Sequence, residues 1–272
     1  MSLRMPAFLA ASALAAGGDP GNYADAMRKI ASRFTGREGV VLHLGDSITY
    51  ANPYSAWART GKGKTPADEA VCSWMHTGRR DDTDGWHLCS VDRPGGRSDT
   101  AAIGVKSHEF LAGGKAGLPP LADLLRKYNP QIAVVMLGTN DASASRPLPE
   151  YRADMSRIVD LILANGTITI LSTIPPHVSR EPLARSYNAA LREIARERRI
   201  PLMDYEEEIL KRRPKDWNGT LLNRDDVHPT AAADAEPTEE NLRNSGYLLR
   251  GWLSVRKIAE VKARVLDVRG RR

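Results

Sequence analysis

The sequence predicts an α/β fold, a parallel sheet with helices on both of its faces. Three observations carry that reading. Short apolar runs such as Val40–Leu44 and Ile132–Leu137 are rich in β-branched residues and end at glycine, as buried parallel strands do. Longer segments of helical period separate the later runs, the alternation that βαβ crossovers produce. The chain has 272 residues, of which 42% are apolar, enough for one large domain with a sizeable core.

Taken in order, Asp19 to Phe34 reads as a helix with Met27, Ile30, Ala31 and Phe34 on one face, stopped by Gly36. We divide the chain into an N-terminal leader and helix at 1–35 and a single domain at 36–272, with insertions at about 50–85 and 231–245. The first strand is Val40–Leu44. Residues 50–85 show no sustained period, are rich in Gly, Lys, Arg and Asp, and contain Tyr50, Tyr54, Trp57 and Trp74. Two roles fit them: a lid over whatever follows the first strand, or a small satellite core beneath a loop. Trp86–Val91 reads as a second strand, broken by Pro94-Gly95-Gly96. Ala101–Val105 leads into a short helix ending at Gly113-Gly114, and Leu121–Lys127 is another. Ile132–Leu137 is the third strand. Glu150–Ala164 is a helix with Tyr151, Met155, Ile158, Val159 and Ile162 inward; Thr167–Leu171 is the fourth strand. Leu183–Arg198 is a helix carrying Leu183, Tyr187, Leu191 and Ile194 in one stripe, and Pro201–Met203 is the fifth strand.

Composition bounds the function. Net charge is +6 and charged residues make up 26% of the chain. The Arg and Lys residues are scattered over the helices, with an excess near the end (Arg256, Lys257, Lys262, Arg264, Arg269, Arg271, Arg272), and read as solvated helix faces and a frayed basic tail. No aromatic-interleaved basic stripe accompanies it, so no nucleic-acid partner is expected. No stretch is long enough to span a membrane. Pro6–Ala16 follows Arg4 and ends in small residues, the pattern of a secretory leader, which points to a secreted or periplasmic protein. An Ala-rich surface helix of a cytoplasmic protein fits the same run. Cys72 and Cys89 would pair in an oxidising compartment and stay buried thiols in a reducing one. His76, His87, His108 and His177 lack ligand spacing, so neither a metal nor another cofactor is expected.

The chemistry is concentrated in four short blocks. Gly45-Asp46-Ser47 follows the first strand, Ala102-Ile103-Gly104-Val105 the second, and Gly138-Thr139-Asn140-Asp141 the third; Asp225-Asp226-Val227-His228-Pro229 comes late. Blocks at the carboxyl ends of parallel strands meet where open α/β sheets hold ligands. A serine is a weak nucleophile until a base takes its proton, and His228 can be that base for Ser47. Asp225 can orient the imidazole, with Asp226 as competitor. The backbone N–H groups of Ser47 and Gly104 and the side-chain amide of Asn140 can receive the oxyanion. Gly95 or Gly96 could stand in for Gly104. Asp46 reads as a turn-stabilising side chain and His43 as a core histidine.

These blocks closely resemble the GDSL-type hydrolases, also called SGNH hydrolases after their Ser, Gly, Asn and His. Ser47, Gly104, Asn140 and His228 match those positions over residues 38–230, with Asp226 where glycine is common. The resemblance implies a three-layer α/β/α sandwich on a flavodoxin-like five-stranded parallel sheet of order 2-1-3-4-5. It also implies a carboxylic ester hydrolase working through an acyl-enzyme. The polar, Trp-bearing insertion favours short acyl groups such as acetyl on a small molecule or polysaccharide, with Tyr50, Tyr54 and Trp57 as walls of the site. Lipid, lysophospholipid or thioester hydrolysis is the alternative, as is a non-catalytic carbohydrate-binding protein on the same fold.

Overall fold

A computed structural model describes residues 23–224 and 227–270. The leader-like run 6–16, the first residues of the expected helix and both Asp225 and Asp226 lie outside the described residues.

Four parallel strands form the sheet: β1 (Val41–Gly45), β2 (Ile132–Met136), β3 (Ile168–Ser172) and β4 (Leu202–Met203), hydrogen-bonded in that order. Registers pair Val41 with Ile132, Ile132 with Ile168 and Leu171 with Leu202. Every residue of β1, β2 and β3 is buried, as expected of strands covered by helices on both faces. Beside β1, where the expectation put a strand, the described residues show a single parallel bridge between Gly45 and Ala101. The sheet thus has four strands among the described residues where five were expected, with one residue pair at the outer edge of β1.

The helices run in chain order as α1 (Tyr23–Ala31), α2 (Ser47–Tyr50), α3 (Asn52–Thr60), α4 (Pro66–Trp74), α5 (Gly85–Cys89), α6 (Ser107–Ala112) and α7 (Leu121–Tyr128). They continue with α8 (Thr139–Ser143), α9 (Leu148–Ala164), α10 (Glu181–Arg198), α11 (Tyr205–Arg212), α12 (Glu239–Leu242) and α13 (Gly246–Val261). α9 and α10 pack together beside β3, with Tyr151 stacked on Tyr187 at 3.9 Å. α13 packs on α3 and α4 and reaches β4. Tyr23, Ala24, Met27 and Ala31 of α1 join the same core as the sheet.

Two expectations are corrected here. Trp86–Val91 is not a strand: α5 occupies Gly85–Cys89. The Asp84 carboxylate accepts from the N–H groups of Trp86 and His87 and so caps a helix at the point where a strand was expected. A five-residue apolar run does not by itself distinguish a strand from a buried helical turn. Residues 50–85, expected to be irregular, fold into α3, α4 and the start of α5. Pro at the first turn of α3 and the Thr65–Asp68 capping box of α4 supply the start signals. Their aromatics are core: Tyr54, Trp57 and Trp86 are almost wholly buried. Cys72 and Cys89 are buried free thiols, and burial pushes both up to about 12.

Candidate active site

β1 ends at Gly45, and the chain turns at once into α2. Asp46 is the N-cap: its Oδ1 accepts from the Ile48 N–H at 3.0 Å. Ser47 therefore opens a helix at the carboxyl end of a central strand, half-buried, with its hydroxyl facing the loop that carries His228. Ser47 Oγ lies 3.0 Å from His228 Nε2. That is hydrogen-bond distance for proton transfer between a nucleophile and its base.

His228 reaches this place on a short backbone-bonded arm. The Asn223 N–H donates to the His228 carbonyl at 2.9 Å, Leu222 bridges Pro229, and the Thr230 N–H donates to the Leu221 carbonyl at 3.0 Å. The arm is fastened to the start of α13, where the Tyr247 N–H donates to the Thr230 carbonyl at 3.0 Å. The fit at Gly246 excludes a side chain: a Cβ there would sit 2.1 Å from the Leu221 carbonyl oxygen.

The second and third blocks meet beside Ser47. The Ala102 N–H donates to the Gly45 carbonyl at 3.2 Å, which lays residues 100–105 along the end of β1. Gly104 has φ of +72°, the left-handed region that glycine adopts without strain. Asn140, in the first turn of α8, directs its Nδ2 to the Val105 carbonyl at 3.2 Å and to Asp46 Oδ2 at 3.4 Å. So Asn140 stands between the Ser47 turn and the Gly104 segment. Tyr50 closes the near side by donating to the Gly96 carbonyl at 2.6 Å. Asp141 faces away: it accepts from the Ser107 N–H at 3.0 Å and pairs with Arg146 at 2.7 Å.

Not all expected site residues come to the crevice. Tyr54 and Trp57 are wholly buried, which removes them from its wall. The Tyr54 hydroxyl bonds His43 Nδ1 at 3.0 Å and Ser254 at 2.9 Å, and Trp57 Nε1 donates to the Lys62 carbonyl at 2.9 Å. They point inward because α3 buries one face against α13. Tyr50 alone of the three remains partly exposed. His43 is buried, stacked on Trp86 at 3.7 Å, and held well below the usual histidine range by burial and by the Arg250 cation.

Electrostatics single out Asp46. Its carboxyl has no exposed surface, and burial lifts it to about 6, against the Ile48 N–H, Arg250 and His228, which favour its charged form.

The GDSL-like lipase/acylhydrolase family matches residues 43–235, which spans all four blocks. This chain belongs to that family. It is a carboxylic ester hydrolase of the SGNH type, and the strand order and site geometry above agree with that assignment. Solved structures with the same fold include a GDSL-like lipase from Bacteroides thetaiotaomicron (16% identity, 88% of this chain and 98% of that one, TM-score 0.54). A carbohydrate esterase family 3 protein from Talaromyces cellulolyticus is similar at 16% identity, covering 82% of this chain and 98% of that one, TM-score 0.51. An acetyl-xylooligosaccharide esterase from Geobacillus Stearmophilus is similar at 17% identity, covering 83% and 96%, TM-score 0.51. No curated protein matches the chain. Among the described residues no helix of this esterase is long and apolar enough to cross a membrane, and no group of acidic, histidine or cysteine side chains is arranged to hold a metal.

Proposed function

We propose that Ser47 is the nucleophile of an esterase that removes short acyl groups, acetyl above all, from a hydroxyl-rich alcohol such as a carbohydrate. The observation that carries the nucleophile is the 3.0 Å contact of Ser47 Oγ with His228 Nε2. In this reading His228 Nε2 takes the Ser47 proton as Oγ bonds to the ester carbonyl carbon. The N–H groups of Ser47 and Gly104 and the Asn140 amide receive the oxyanion. The longer of the two Asn140 bonds, 3.4 Å to Asp46, is the one an oxyanion competes with. Collapse breaks the ester C–O bond, and the leaving alkoxide takes the proton from His228. Water, deprotonated by His228, then releases the acid and restores Ser47. Asp225 is the residue we assign to hold the imidazole in the tautomer that accepts at Nε2.

Two features support the short, polar substrate. The large aromatics of residues 52–89 are spent on the core, so none of them is left to line an acyl channel. The mouth beside Gly104 is cationic and polar: Lys115 packs near Gly104 and Arg97 near Gly117, both exposed. Two of the similar structures carry names of enzymes that act on carbohydrate esters, in line with this choice. A p-nitrophenyl ester series from acetyl to octanoyl, run beside acetylated xylan, tests it. Activity falling steadily with chain length, with acetate released from the polysaccharide, is expected. A preference for octanoyl would refute the reading in favour of a lipid esterase, and no turnover of any ester would favour a binding protein.

A further inference from the structure

Arg250 is buried, with 1% of its surface exposed. Among the described residues it makes no ion pair. Its Nη1 donates to the Ile48 carbonyl and its Nη2 to Thr49 Oγ1, both at 2.8 Å, while Nε has no partner. The guanidinium carbon lies over the Tyr54 ring, 3.6 Å from its centre. Burying an unpaired cation is costly, and a fold of this size has cheaper ways to fill the space. Both acceptors belong to α2, the four-residue helix that begins with Ser47.

α2 is therefore gripped at both ends by buried charges. Asp46 holds its first turn through the Ile48 N–H, and Arg250 holds its last through the Ile48 carbonyl and the Thr49 hydroxyl. Asp46 Oδ2 also anchors Asn140. The start of the helix that carries Arg250 fastens the His228 arm through Tyr247 and Thr230. One helix, lying beyond the family-matched residues 43–235, thus touches the supports of both Ser47 and His228.

We infer that Arg250 is a positioning residue for the ester hydrolysis proposed above: by clamping Ile48 and Thr49 of α2 it holds the turn that carries Asp46 and Ser47 in register with Asn140. The groups whose charge or hydrogen bond acts on Asp46 are Arg250 from α13, His228 from its arm, and Asn140 and Asp141 from α8. Of these only Arg250 is a permanent cation, so removing it leaves Asp46 to take up a proton at higher pH. Burial already favours that protonated form.

The test measures kcat, KM and the pH profile of p-nitrophenyl acetate hydrolysis in folded Arg250→Met and Arg250→Lys. The methionine variant is expected to lose kcat about 100-fold, comparable to removing one oxyanion donor, with KM within about threefold. Its acid limb should move up by about one pH unit, and that movement should vanish when Asp46→Asn is already present. Lysine keeps the charge and loses the two-pronged grip, so its limb stays at the wild-type pH and kcat falls about fivefold. Wild-type kcat in the methionine variant, or a loss equal at every pH, overturns the proposal. Should the methionine variant fail to fold, the lysine variant decides: unchanged kcat overturns, and a fivefold fall with an unmoved limb supports. Wild-type protein without turnover would count against the proposed function instead, since Arg250 is then intact.

Discussion

The Ser47 turn and the His228 arm meet at 3.0 Å but are built in opposite ways. The serine sits on the end of a central strand, capped by a buried carboxylate, gripped by a buried arginine and underlain by Tyr54, Trp57 and Trp86. The histidine hangs on an arm of backbone bonds, bridged at Leu222 and Pro229 and tied to the rest by Thr230. Buried charged side chains brace the serine turn, while backbone bonds shape the arm that carries the histidine. Ser47 should therefore keep its place when the arm is changed, whereas His228 should be sensitive to small changes around it.

The largest expected effect sharpens that contrast. Asp225→Asn should lower kcat about 10⁴-fold by losing the imidazole's orientation, with Asp226→Asn costing far less and the fold unchanged by circular dichroism. A reversed ranking would move the acid to Asp226. On the other side of the comparison, Trp57→Ala should cost about 3–5 kcal/mol in urea unfolding while leaving KM for p-nitrophenyl acetate unchanged. A raised KM with unchanged stability would return Trp57 to the substrate wall. Asn140→Ala should lower kcat about 10²–10³-fold with little change in KM, measured by steady-state kinetics.

The smallest effect concerns pH. Burial raises Asp46 to about 6 in the fold, above its unfolded value of 3.8, so the fold disfavours its charged form. Stability linked to Asp46 is complete below about pH 4 and is lost as pH rises through about 6. Between pH 4 and 7.5 the wild type should lose roughly 3 kcal/mol relative to Asp46→Asn, read from urea midpoints at each pH. A constant difference would mean that Asp46 does not titrate there.

The same contrast governs what could be read from the sequence. The place of Gly45-Asp46-Ser47 at a strand end was legible because strand, cap and serine are contiguous, and that of Asn140 because its motif follows the most apolar strand. Trp86–Cys89 misled because a short apolar run fits a strand or a buried turn equally, and the deciding contact, Asp84 on two N–H groups, is a cap. Tyr54 and Trp57 misled because nearness to Ser47 in sequence said nothing about which face of α3 they share. Arg250 was missed, being counted with the scattered basic residues. Its one local signal is its setting, between Leu248-Leu249 and Gly251-Trp252 in a helix that is apolar around it.

The most direct test of the central claim is to treat the protein with a fluorophosphonate and map the modified peptide by mass spectrometry, beside p-nitrophenyl acetate turnover by Ser47→Ala. The account predicts a single adduct on Ser47 and an alanine variant that is folded and at least about 10³-fold slower. An adduct on any other residue, or undiminished turnover by the variant, would contradict it.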